Sequence, residues 1–234
     1  MIACQVLPLG ANAGRLRVEI IESPALAPGL EAAVQERWTQ MLTGNPRLFD
    51  GRTLSFHCFD ERTAVITACV NPYRFLAVQP QVRTGVTQLG VTGLLTCGQG
   101  AERCVLLARR GRDTRLYSGR WELAPSGGVD APPVGVCQLT LDDLREHLRR
   151  EVEEELGLTI PWLDASALAL CHDPAAPSVD VVFRIHISGK VNPTALNWEY
   201  DGFRWLPVRD LSHALTTIDL IEPSCALLGS LEDL

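Results

Sequence analysis

The chain has 234 residues, 46% hydrophobic and 21% charged, enough apolar material for one large domain or a core domain with an elaborated flank. A net charge of −7, with no basic block and no interleaved aromatic stripe, argues against a general nucleic-acid binder. No apolar run reaches the roughly 18 to 20 residues that cross a bilayer, so the expectation is a soluble protein with no membrane partner.

In chain order, residues 1–85 predict an α+β flank. It holds a strand over Arg15–Ile21, a helix over Gly29–Leu42 with Ala33, Arg37 and Met41 near one face, and strands over Thr53–Phe59 and Thr63–Val70. From about Val86 the pattern changes to GVTGLLTC, CVLLARRGR and RWELAPSGG, then to an acidic helix. Strands over Ala167–Cys171, Val179–Ile187 and Gly202–Leu206 follow, with a closing helix near Leu211–Leu228. Strands, a helix, more strands and a final helix predict an α/β/α sandwich around a mixed sheet for residues 86–234. The eight cysteines show no CxxC and no paired-histidine spacing that would make a zinc site. They predict reduced thiols, and with no charged, apolar leader at the N-terminus they predict a cytoplasmic protein.

The acidic helix carries most of the chemistry. In REVEEELGL (150–158), positions i, i+3 and i+4 share a face, so Glu151, Glu154 and Glu155 converge while Glu153 points away. Such a run is usually just a solvated helix face. Three like charges on one face repel unless a cation sits among them, however, and the run follows a strand that breaks at Pro125 into a paired-glycine turn. Thr140 is placed to N-cap the helix, with Asp142 and Asp143 in its first turn. Leu141, Leu144, Leu148 and Val152 make the apolar stripe, and Glu151 and Glu155 flank it at the boundary between core and cleft.

These residues resemble the Nudix hydrolase box. Arg150, Glu151, Val152, Glu154, Glu155, Gly157 and Leu158 match its second half at every specified position. The first half departs: Asp142 stands where the family has Glu, and Gly128 lies 14 positions before it instead of six. That spacing implies an insertion of about eight residues, which contains Asp130, Pro132 and Pro133. The resemblance covers roughly residues 86–230 and implies hydrolysis of a nucleoside diphosphate linked to another group. It further implies Mg2+, or Mn2+ in its place, held by Glu151, Glu154 and Glu155 with the Gly128 carbonyl. Glu154 is the candidate general base, with a loop carboxylate or His172 as alternatives, and Arg150 braces one of the glutamates. From the ARRGR segment, one of Arg109, Arg110 and Arg112 is expected to supply fixed positive charge to the phosphate, Arg109 or Arg112 by preference.

A second likeness bears on substrate. NPRLFDG (45–51), NPYRFLAVQ (71–79) and the arginine-rich hairpin before WELAPSGGVDAP look like the Nudix branch that hydrolyses UDP-glucose and UDP-galactose. It implies UMP and a sugar 1-phosphate as products, with Tyr73 and Arg74 on the nucleotide or sugar. Pyrophosphatases acting on ADP-ribose, a dinucleotide or coenzyme A remain alternatives, as does a Nudix-fold module that senses a nucleotide without turning it over.

Overall fold

A computed structural model describes residues 3–79, 81–159, 165–193 and 198–230. The first part contains strands β1 (Gln5–Pro8) and β2 (Arg17–Ile21), helix α1 (Leu30–Gly44), strands β3 (Arg52–Asp60) and β4 (Val65–Pro72), and the short helix α2 (Arg74–Ala77). There follow β5 (Thr87–Cys97), β6 (Cys104–Arg110), β7 (Trp121–Leu123), β8 (Ser126–Gly128), β9 (Gln138–Leu139) and the long helix α3 (Leu141–Leu156). Strands β10 (Ser166–Asp173), β11 (Ser178–Ile187) and β12 (Tyr200–Pro207) and helices α4 (Leu211–Thr217) and α5 (Glu222–Ser230) complete the chain.

The strands join in one mixed sheet flanked by helices, and β5 is its hub. Buried along almost its whole length, β5 runs parallel to β11 over ten register pairs, from Gln88 opposite Ser178 to Cys97 opposite Ile187. A strand buried on both faces reads as a nearly continuous apolar run, which GVTGLLTC is. The opposite edge of β5 is shared by β3 at Thr87 and Gln88, β8 at Gly90–Thr92, and β6 at Thr96 and Cys97. Splitting one edge among three strands opens the sheet between them.

The flank is built into the same sheet. From the hub the order runs β5–β3–β4–β2–β9, so the flank's β2 ends against β9, a strand supplied by the inserted segment before α3. Asp130, also in that segment, forms an isolated bridge with Thr53 of β3. Leu9, Leu16, Val18, Leu54, Ile66 and Ala68 of the flank share one core cluster with Leu144, Leu148 and Val152 of α3.

Helix α3 forms as its caps and stripe dictate. The Thr140 hydroxyl accepts from the Asp143 amide while the Asp143 carboxylate accepts from the Thr140 amide, a reciprocal capping box. Gly157 ends the helix at φ 63°, a left-handed conformation that glycine adopts without a side-chain clash. Leu144, Leu148, Val152 and Leu156 are buried without exception.

Two expectations are corrected. The buried face of α1 is Val34 and Trp38, one residue on from Ala33 and Arg37, because the large indole claims the interior and Ala33 is left exposed. The closing helix is two helices. The chain breaks over 218–221, where Leu220 bridges Trp121 and the Arg120 guanidinium ties down the Leu220 carbonyl, the Asp219 carboxylate and the Glu222 carboxylate. Pro223, which cannot donate a helix-interior bond, sits in the first turn of the second piece.

Candidate active site

A cavity of about 490 Å3 opens where the sheet divides around β5. Its floor is made of positions without side chains. Gly90 of β5 pairs with Gly128 of β8, and Gly127 lies alongside. A Cβ on Gly127 would stand 2.2–2.6 Å from the carboxyl atoms of Glu151, and one on Gly90 would stand 2.4 Å from the Asp180 carboxylate. One on Gly128 would meet the Gln88 amide at 2.0 Å. These glycines let side chains from α3, β11 and β5 lie flat across the floor.

The box glutamates occupy three different environments. Glu154 is exposed and lines the cavity. Glu151, half-buried, also lines it, and burial together with the nearby Glu154, Glu199 and Asp130 carboxylates pushes its carboxyl up to about 7. Glu155 is 2% exposed: its carboxylate accepts from the Ser126 amide at 3.2 Å and hydrogen-bonds the Glu199 carboxyl, and burial with that neighbour drives it well above the usual carboxylate range. The sequence expectation put Glu155 at the edge of an open cleft; it lies beneath the cavity instead, because the helix turns it toward the β7–β8 turn. Glu153 points away and pairs with Arg149, as helical geometry requires.

Among the described residues no three acidic, thiol or imidazole groups are placed closely enough to hold a metal ion as they stand. The donor chemistry nonetheless fits one. Glu151, Glu154, Glu155 and Glu199 form a crowd of carboxylates that raises the proton affinity of two of its members. A hard divalent cation bound by oxygen would relieve that repulsion and keep the carboxylates ionised.

The remaining expected residues are distributed unevenly. Gly128 and Tyr73 line the cavity; Arg74, Arg109, Arg112 and Asp142 are not among its lining residues. Arg74 pairs with Asp50 and lies 5.3 Å from the centre of the Phe75 ring. Arg109 pairs with Asp201 and stacks 5.8 Å from the Trp121 ring, and Arg112 is exposed. Asp142 pairs with Arg145 at 2.7 Å in the first helical turn, with its side chain 84% exposed. Nine residues along a helix is roughly 13 Å of rise, so Asp142 stands more than two turns from Glu151. Arg150 does not brace a glutamate: it donates to Asp130 of the inserted segment at 3.0 Å and contacts His147.

The cations that do line the cavity are Arg110 and Arg115. Arg110 donates to the buried Glu122 at 2.6 Å and to the Leu116 carbonyl at 3.1 Å, and Tyr200 donates to the same Glu122 oxygen at 2.8 Å. This network anchors loop 111–120 over the cavity. Exposed Arg115 belongs to that loop and has no ion pair among the described residues. On the far wall, Tyr117 donates to Asp173 at 2.7 Å, and Thr92 donates to Asp180 at 2.8 Å. Burial pushes the Asp180 carboxyl up to about 6. Sequence reading missed Gln88, Arg115, Glu122, Tyr117, Asp173, Asp180 and Glu199, and it preferred Arg109 and Arg112 to Arg110. Strand alternation from Val179 signalled that Asp180 points opposite to the core face, but the others required the pairing of distant strands.

The NUDIX domain profile matches residues 86–223, more than half of the sequence. No curated protein matches. Among solved structures, DR0079 of Deinococcus radiodurans is similar with a TM-score of 0.53 at 19% identity, covering 77% of this chain and 99% of that one. The NUDIX domain of Shewanella oneidensis NrtR, crystallised with ADP ribose, has a TM-score of 0.43 at 20% identity over 61% of this chain and 84% of its own. The MutT NUDIX hydrolase of Burkholderia pseudomallei has a TM-score of 0.43 at 23% identity over 62% and 98%. At these identities the DR0079 likeness speaks for the fold, and the domain match, which spans the acidic helix, makes the chain a member of the Nudix hydrolase family and a Nudix-type pyrophosphohydrolase.

Proposed function

We propose that the chain hydrolyses the diphosphate of a UDP-sugar to UMP and a sugar 1-phosphate, with Mg2+ as its ion and Mn2+ as a substitute. The observation that carries the proposal is the make-up of one cavity. Box glutamates, two arginines and the flank's Tyr73 line the same space, whose size falls within the range of small-molecule sites. Its far wall offers carboxylate, phenol and carboxamide groups at Asp173, Asp180, Tyr117 and Gln88, suited to a polyhydroxylated partner.

In this reading Glu151 and Glu154 from the cavity wall and Glu155 from beneath it would hold the ion with the Gly128 carbonyl. A bound divalent ion supplies charge neutralisation at the diphosphate and lowers the pKa of water. The protein's part is positional. Arg115 meets phosphate oxygens, Arg110 keeps loop 111–120 in place, and the glycine floor leaves room for the Glu151, Asp180 and Gln88 side chains that face the ligand. Exposed Glu154 takes the proton of the attacking water as its oxygen bonds to phosphorus and the bond to the bridging oxygen breaks. Arg150 acts indirectly, holding the inserted segment against α3 through Asp130. A reducing cytoplasm suits the eight cysteines, all free thiols.

The test is product identification by mass spectrometry after incubation with Mg2+ and UDP-sugars, ADP-ribose, dinucleotides or coenzyme A. Wild type is expected to release UMP and sugar 1-phosphate, and Glu154→Gln to lose at least about 100-fold in kcat. AMP from the adenine compounds alone would replace the substrate assignment, and no turnover at all would refute the proposal.

A further inference from the structure

Four of the five tryptophans lie within the described residues, and three of them are engaged. Trp38 is 4% exposed in the flank core, edge-on to Tyr73. Trp121 lies beneath the guanidinium groups of Arg109 and Arg204, 5.8 and 6.0 Å from the ring centre. Trp205 packs against the main core and donates its indole N–H to the Val191 carbonyl at 2.9 Å. Trp198 differs: it is 66% exposed, belongs to no core cluster, and lines the active-site cavity.

Its position is held by backbone. The next carbonyl, that of Glu199, accepts from the Gly111 amide at 2.6 Å, and Tyr200 is buried and opens β12 opposite Arg110. A Cβ on Gly111 would lie 2.3 Å from the Trp198 carbonyl, so glycine at 111 permits this close approach. The backbone that carries this indole is thus held beside the cavity, and most of the ring's surface lies in water. A rigid, flat side chain with a polar N–H, lining a cavity that also holds polar groups, is suited to contact a ligand.

The chemistry of the ligand group follows from comparing the rings. Three aromatic rings stand among the described lining residues. Tyr73 is tied into the flank core against Trp38. Tyr117 is occupied on both counts, its hydroxyl on Asp173 and its ring 5.6 Å from the Arg120 guanidinium. The indole of Trp198 is the one left to receive a flat partner, and the cavity's deeper walls are acidic and hydrogen-bonding. A nucleobase has the required π-face, and stacking on an aromatic side chain is tolerant of base identity.

We propose that Trp198 is the platform on which the substrate's nucleobase stacks at the cavity mouth, leaving the deeper acidic wall to the group on the other side of the diphosphate. The proposal rests on the assignment of this cavity to a nucleoside diphosphate. Trp198 then contributes to affinity and to KM and leaves the chemistry to the glutamates.

The test titrates UMP, AMP and glucose 1-phosphate into wild type, Trp198→Phe and Trp198→Ala, following intrinsic fluorescence and calorimetric affinity. Both nucleotides are expected to quench wild-type emission, and glucose 1-phosphate is not. The quench disappears in both variants. Affinity for the nucleotides holds within a few-fold in Trp198→Phe and falls about ten-fold or more in Trp198→Ala, while thermal unfolding of both variants matches wild type. Nucleotide affinity unchanged in Trp198→Ala overturns the proposal and leaves the nucleoside diphosphate assignment standing, as does a Trp198 response to glucose 1-phosphate in place of nucleotides. Failure of wild type to bind any nucleotide overturns both.

Discussion

The residue that most tightly couples the sheet to the chemistry is Gly127. A methyl group there would occupy the space of the Glu151 carboxyl, and because that carboxyl ends a flexible side chain, it would swing away before the backbone moved. Gly127→Ala is therefore expected to lower kcat by about ten-fold or more with a stability change of about 1 kcal/mol or less, measured by steady-state kinetics beside a urea melt. Equal activity would remove Glu151 from the ion site. Asp180 permits a pH prediction. Its folded carboxyl titrates near 6, above its ordinary 3.8, because burial outweighs the Thr92 hydrogen bond and Asp173 lies nearby. A raised folded pKa means its stability contribution is complete below about 4 and is lost as pH climbs through 6. Asp180→Asn should flatten that part of the stability profile, by on the order of 2 kcal/mol between the extremes, as read from urea midpoints at pH 4 to 7. A profile of unchanged slope would show that Asp180 is not desolvated.

At the scale of elements, α3 was legible because its signals are local. Thr140, the 144–148–152 stripe and Gly157 act within a few residues of themselves, and all appear where their spacing puts them. Thr140→Ala removes one half of the capping box and should cost about 1 kcal/mol, seen as a fall in thermal midpoint without loss of kcat. A larger loss with inactivity would mean that the cap also holds the inserted segment. Helix α1 was legible but read one residue off: Leu30, Val34, Trp38, Met41 and Leu42 stand at helical spacing and share the flank core, whereas Ala33 and Arg37 lie beside that stripe. Arg150 shows the limit of local spacing. The helix put it on the right turn, but its partner Asp130 lies 20 residues away in a segment whose path depends on β2.

For the whole molecule, the flank and the Nudix-matching part are joined by sheet and core. Removing residues 1–85 would strip β1 from β10, β3 from β5 and β2 from β9, and would expose the face of α3 that packs near Leu54 and Ile66. The 86–234 fragment is therefore expected to lose cooperative unfolding and to bind a hydrophobic dye. A sharp thermal transition from that fragment alone would refute the argument. Because Tyr73 lines the cavity, the flank also contributes to the walls of the candidate site.

The sequence by itself determined the family, the acidic helix with its caps and the carboxylate chemistry, since each depends on residue identity at short, regular spacing. Tertiary structure alone decided which arginines line the cavity, that Glu155 lies beneath it, and that Asp173, Asp180 and Trp198 surround it. Arg109 and Arg110 are adjacent in sequence, yet strand alternation and pairing with β12 send them to opposite fates, one onto Asp201 and the other onto buried Glu122. Contacts across a sheet are set by register between distant strands, and no local pattern records that register.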